Sequence, residues 1–163
     1  MQSVHSWLFG LLLLLAGCGF HLKGYQQADP ALDGLFVEQA EQRDSLAGVI
    51  QRELVTAGVK LADTAETAKH RLRIRADRFT QRVLSVDASG KALEYELSLQ
   101  AGFDVAAADG SERLPLQSLE LLRQLTLSGQ DELGYRNEAA LLRIDMRLDM
   151  ADQIIRRLQA QLK

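Results

Sequence analysis

The sequence predicts an α+β fold: a two-layer sandwich with two amphipathic helices on one face of a mostly antiparallel sheet of about four strands. Three observations lead there. Leu93, Tyr95, Leu97, Leu99, Ala101, Phe103 and Val105 alternate with Glu94, Glu96, Ser98, Gln100, Gly102 and Asp104, the two-residue period of a half-buried strand. Leu141, Ile144, Leu148, Ala151, Ile155, Leu158 and Leu162 recur by threes and fours, the period of a helix with one apolar stripe. Two turn signals, Asp87-Ala88-Ser89-Gly90-Lys91 and Asp109-Gly110, divide the middle of the chain into consecutive strands, an antiparallel meander.

The elements are taken in chain order. Leu35-Phe36-Val37, after Gly34, reads as a first short strand. Asp44 or Ser45 can cap a helix over Leu46–Ala57, whose Leu46, Val49, Ile50, Leu54 and Ala57 share a face. Gly58 ends it, and Val59-Lys60-Leu61 reads as a further brief strand. From His70 the period changes to two: Leu72, Ile74 and Ala76 alternate with Arg71, Arg73 and Arg75, continuing less regularly from Phe79 to Val86. A third long strand is expected over Leu116–Leu127. Gly129–Arg136 reads as a polar loop, with Asn137 capping the last helix. The stripe of that helix fits a coiled-coil seam or core packing, and a sheet that needs covering favours the core. Outside the helix-covered face, the Arg row faces Glu94 and Glu96 on the next strand. That surface reads either as a self-neutralised solvated face or as one made for a polar wall or an anionic ligand.

Length and composition narrow the function. At 163 residues with 25% charged and 47% hydrophobic side chains, the chain suits one domain. A net charge of -3 gives no general attraction to nucleic acid, which is not expected as a partner. The single Cys excludes an internal disulfide framework. No Asp, Glu, Lys or Arg occurs before residue 18. Trp7–Leu15 reads WLFGLLLLL, too short to span a bilayer and of the size of a secretory signal core. Leu15-Ala16-Gly17-Cys18 comes next, and this string resembles the lipobox of bacterial lipoproteins. The resemblance implies cleavage before Cys18, an S-diacylglycerol and an N-acyl chain on that Cys, and stable anchoring, since each buried methylene contributes about 0.8 kcal/mol. Gly19 after the Cys favours the outer membrane. Residues 1–17 are thus read as a signal peptide, 18–33 as a lipidated tether and 34–163 as the folded domain.

Catalytic chemistry is not expected. His21 and His70, the two His beyond the signal, lie in neither a nucleophile elbow nor a metal-ligand spacing, and no Gly-rich phosphate loop appears. The chain is read as no enzyme, with no metal and no cofactor apart from the covalent lipid on Cys18.

A wider resemblance then enters. Gly17-Cys18-Gly19-Phe20-His21-Leu22-Lys23-Gly24, the segment Gly90-Lys91-Ala92-Leu93-Glu94-Tyr95-Glu96-Leu97, and Tyr135-Arg136-Asn137-Glu138 with Ile154-Ile155-Arg156-Arg157-Leu158 resemble the LptE (RlpB) family of lipopolysaccharide-assembly lipoproteins. The family fold, two helices on a four-stranded sheet, agrees with this order of elements. The resemblance implies an outer-membrane lipoprotein, lipid-anchored, with its domain on the periplasmic side and within the lumen of the LptD β-barrel. There it plugs the barrel, helps assemble it and binds lipopolysaccharide on the way to the outer leaflet. It also implies ligand-binding cations near Lys91 and Arg136; Arg71, Arg73 and Arg75 form a further candidate patch. The alternative from another class is an envelope scaffold or adaptor with the same anchor and a different partner.

Overall fold

A computed structural model describes residues 29–39, 45–126 and 132–162, with side chains in the last segment from 134 onward. The expected signal peptide, Cys18 and most of the tether lie outside these residues. A one-turn 3-10 helix, Pro30–Leu32, is capped by the Asp29 side chain, which accepts from Ala31 N at 3.0 Å. It drops Leu32 into the core and leads into β1, Leu35–Val37.

Helix α1 spans Leu46–Thr56. Ser45 is its cap, with Oγ accepting from Gly48 N at 3.1 Å. At the other end Gly58 adopts φ 84°, a left-handed conformation that costs other residues a Cβ clash. There Gly58 N donates to Val55 O and Val59 N to Leu54 O, each at 3.0 Å, a Schellman closure. The expected strand at Val59-Lys60-Leu61 is therefore not formed. Val59 belongs to the helix cap, and isolated bonds tie Lys60 and Ala62 to the chain around β1: Gly34 N donates to Lys60 O at 2.7 Å, Lys60 N to Asp33 Oδ1 at 3.0 Å and Ala62 N to Leu35 O at 2.9 Å.

Strands β2 (His70–Val86), β3 (Ala92–Ala107) and β4 (Glu112–Thr126) form the meander. Sheet order is β1-β2-β3-β4, with β1 parallel to β2 and both hairpins antiparallel. What reads as an arginine strand with an irregular continuation is one 17-residue strand, about 55 Å long. The register shifts between Ile74 and Ala76, which leaves Arg75 without a direct partner on β3, and shifts again at Val83/Ser85 and Ser85/Val86, inside the irregular stretch. Strand β4 begins at Glu112, earlier than its apolar run suggests. Pro115 lies where the β3–β4 register shifts on this edge strand, so its missing N–H breaks no regular pair.

Helix α2 spans Glu132–Gln161. Its start differs from the expectation: Asn137 is an exposed interior residue, not the cap, and the polar stretch from 132 is helical. The buried stripe differs too. Leu141, Ile144 and Leu148 are 63%, 57% and 41% exposed, whereas Met146, Met150, Ile154 and Leu158 are fully buried. The buried residues follow the i, i+4 row, continued by Leu162. Such a row winds obliquely round the helix, which suits a long helix crossing a twisted sheet and then meeting α1. The stripe read by threes and fours runs more nearly along the axis, so only its C-terminal members reach the core: Ala151, Leu158 and Leu162 are buried in it and Ile155 packs against it half-buried. Phe103, Leu97 and Leu99 of β3, Leu72 of β2 and Ile50 and Leu54 of α1 complete that core.

Candidate functional site

At the end of the sheet remote from β1, the β2–β3 turn is held by its own first residue. Asp87 N donates to Lys91 O at 2.8 Å. Asp87 Oδ1 accepts from Ser89 Oγ at 2.6 Å, Ser89 N at 2.8 Å and Lys91 N at 3.0 Å. These bonds, the Ser89 hydroxyl foremost, hold the Asp87 carboxyl below the usual carboxylate range. Lys91 thus projects into solvent from an ordered turn. Around it four large apolar side chains, Val83, Leu84, Val86 and Leu93, are exposed. Their signal in the sequence is a Val-Leu-x-Val run and a Leu on either side of one turn, which by itself reads only as strand irregularity.

The start of α2 is fastened to the same end. The Tyr135 ring stacks on Tyr95, with centroids 4.9 Å apart and planes 25° apart, and its hydroxyl accepts from the Gln81 amide. Burial, with Tyr95 beside it, pushes the Tyr135 hydroxyl pKa up. Arg136, the next residue, is exposed. Tyr95 is four strand residues from Lys91, about 13 Å. The fold therefore brings Lys91 and Arg136 to one end of the molecule, beside the exposed apolar cluster.

Arg71, Arg73 and Arg75 are not brought there. The eleven residues from Arg75 to Val86 span about 36 Å. On the helix-free face, Arg73 Nε and Nη2 donate to Asp104 Oδ1 and Oδ2 at 2.8 and 3.0 Å, and Arg75 Nε and Nη2 both reach Oδ2 at 3.1 Å. Two arginines two residues apart thus share one carboxylate. Burial alone would raise the Asp104 pKa; the hydrogen bonds and charges of Arg73 and Arg75 outweigh it and hold the carboxyl low. Arg71 Nε is buried without a hydrogen-bond partner among the described residues.

The expected pairing of this Arg row with Glu94 and Glu96 is corrected by the register. His70 pairs with Ala107, so Arg73 faces Asp104, and Glu96 faces Arg82, with Arg82 Nε 2.6 Å from Glu96 Oε1. In an antiparallel hairpin the start of one strand meets the end of the next. Farther across, Ser98 Oγ and Gln100 Nε2 donate to Glu120 Oε1 at 2.9 and 3.1 Å, which lowers the Glu120 pKa.

Among the described residues no group of three or more His, Cys, Asp or Glu is placed to hold a metal ion. None of the described helices is long and apolar enough to cross a membrane.

The class is a small α+β sandwich, with both long helices on one side of a four-stranded sheet and the other sheet face left open among the described residues. Comparison with known proteins gives that class its family. The family model of lipopolysaccharide-assembly LptE matches residues 32–158, and the chain belongs to the LptE family. It is 28% identical over 159 residues to the LPS-assembly lipoprotein LptE of Pectobacterium atrosepticum, covering 96% of this chain and 85% of that one. It is 32% identical to the LptE of Yersinia pestis, covering 96% of this chain and 76% of that one. The crystal structure of rare lipoprotein B from Shewanella oneidensis superposes with a TM-score of 0.64 at 26% identity, covering 78% of this chain and 92% of that one. Lipoprotein B from Nitrosomonas europaea superposes with a TM-score of 0.65 at 25% identity, covering 77% and 80%.

Proposed function

We propose that this LptE-family lipoprotein is anchored in the outer membrane through acyl chains on Cys18, plugs and helps assemble the LptD barrel, and binds lipopolysaccharide there. Its role is binding and assembly, not catalysis. The observation that carries the ligand part is the meeting of Lys91, Arg136 and the exposed Val83, Leu84, Val86 and Leu93 at one end. Lipopolysaccharide is an anionic amphiphile: its phosphates suit the cations and its acyl chains suit the apolar rim. Arg73 and Arg75, engaged on Asp104 far from that end, are not assigned to this ligand site. The barrel part is supported by the family and by physics: the lumen of an outer-membrane barrel is polar, and a plug needs its own core and a charged exterior.

Solubilising the envelope in detergent and pulling down this lipoprotein tests the proposal. A large β-barrel is expected in the eluate, and depletion of the chain is expected to lower surface lipopolysaccharide. Normal surface lipopolysaccharide together with no barrel in the eluate refutes it.

A further inference from the structure

The sheet leaves two backbone edges open and protects them differently. Strand β2 is covered by β1 only at His70–Leu72. Its long remainder carries Arg73, Arg75, Arg78 and Arg82 and shifts register at Ile74/Ala76, Val83/Ser85 and Ser85/Val86. Charge and bulges defend an open edge, because they twist it away and make a second strand costly to add. Strand β4 is the last of the sheet, and among the described residues no strand pairs with its outer side. Its defences are confined to its start, where Pro115 and the register shifts lie. From Gln117 to Thr126 every residue has a direct partner on β3.

The charges of that stretch are turned inward. Glu120 Oε1 accepts from Ser98 Oγ and Gln100 Nε2 of β3, and Arg123 is drawn over to Asp149 of α2. What is left at the edge is largely apolar. Leu116 and Leu122 are 61% and 51% exposed, and Leu119 and Leu121 are half-buried. Leu122, Glu120 and Ser118 stand opposite Ser98, Gln100 and Gly102 on the helix-free face. Leu116 joins them there, since its Cδ1 lies 3.6 Å from where a Cβ on Gly102 would stand.

This segment is complementary to itself. In an antiparallel pair with a second copy, about a two-fold axis at Leu119, Leu119 faces Leu119, Leu116 faces Leu122, and Ser118 faces Glu120. Both exposed leucines of each copy are then covered, and each Glu120 meets a hydroxyl, as it already does within the chain. The neighbouring registers are worse. An axis at Glu120 opposes two carboxylates, one at Leu121 opposes Leu119 to Arg123, and one at Ser118 opposes Leu116 to Glu120. We propose that β4 pairs edge to edge with β4 of a second copy of this chain, centred on Leu119, so that one sheet runs through two domains. A contact that uses the same patch on both copies closes at two. The pair is a state of the free chain and uses neither the anchor nor the barrel reading.

Light scattering on the purified full-length chain in detergent, over a range of concentration, tests this. The protein mass per particle is expected to rise from one copy to two. Leu116→Lys with Leu122→Lys puts charge on the edge at exposed positions and is expected to hold the chain at one copy, with the melting curve of a folded domain. Introduced cysteines read the register under mild oxidation. Leu119→Cys places two thiols directly opposite, with Cα atoms about 5 Å apart and within disulfide reach, whereas Gln124→Cys leaves them about 33 Å apart. Linked dimer is expected to form about tenfold or more faster from position 119 than from 124, with the parent chain oxidised beside them to report any link through Cys18. Should Leu119→Cys not fold, Ser118→Cys chains mixed with Glu120→Cys chains read the same register, linking faster together than either does alone. A single copy at every concentration, a dimer unaffected by the two lysines, or links as fast at 124 as at 119 overturns the inference.

Discussion

The Arg147 guanidinium of α2 lies 3.2 Å from the Asp77 carboxylate of β2, with the two side chains only 14% and 19% exposed. Asp77 Oδ2 also accepts from the Leu46 backbone N–H at 2.9 Å, the first residue of α1. One carboxylate thus joins the sheet to both helices. It meets an unpaired donor at a helix N-terminus, where negative charge is favoured.

Removing that carboxylate leaves a mostly buried cation uncompensated and an N-terminal donor unsatisfied. Asp77→Ala is therefore expected to destabilise the domain by about 3–5 kcal/mol in urea unfolding. The comparison is Asp149→Ala, which breaks the half-exposed pair with Arg123 and is expected to change stability by less than about 1 kcal/mol. Equal effects from the two variants would show that the three-element tie is not a structural node.

The winding of the buried row on α2 separates two neighbouring residues of similar character. Met150→Ala is expected to cost about 2–5 kcal/mol, because it opens a cavity between the sheet and α1. Leu148→Ala, on the exposed flank, is expected to stay within about 0.5 kcal/mol of the parent. Denaturant midpoints measure both, and the reverse order would contradict the packing described.

Stability is expected to fall with acid in two stages. Burial, followed by the charges of Arg113 and Lys69, lowers the His70 pKa below its usual 6.5. The unfolded chain then binds a proton that the folded one does not, so stability is lost as pH falls from about 6.5 toward the lowered folded value. Asp104, held below its usual 3.8, contributes stability that is complete above that pH and is lost as pH falls through its lowered folded value. His70→Gln should flatten the upper stage alone, and Asp104→Asn the lower one. Melting temperatures recorded from pH 8 to about pH 3 read both slopes.

At the cationic tip, Lys91→Ala combined with Arg136→Ala is expected to weaken lipopolysaccharide binding about tenfold or more, measured on variants whose melting curves show a folded domain. Val86→Ser with Leu93→Ser should weaken binding as well, through the acyl chains. Immobilised lipopolysaccharide and purified full-length variants give the comparison. Undiminished binding in both double variants removes the tip from the ligand site.

Much of this fold is legible in the sequence. The alternation on β3, the Ser45 cap, the Gly58 stop and the turns at 87–91 and 109–110 are local, and short-range sterics and hydrogen bonding set them. The features that escape a sequence reading are non-local. Val59–Leu61 has the composition of a strand but finds no regular partner. The start of α2 lies ahead of Asn137 because Tyr135 stacks on a ring forty residues earlier in the chain. Of the site residues, Lys91 and Arg136 are visible only by resemblance, and their common location depends on that same stack.

The chain's own periodicities determined which segments form strands and helices and which residue types flank each turn, since these follow from backbone geometry a few residues at a time. Tertiary structure alone decided which acid each arginine meets, which side of the long helix is dry, and which cations share an end of the molecule. Those outcomes depend on hairpin register and on the angle at which a helix crosses a twisted sheet, and both are set by contacts between residues far apart in sequence.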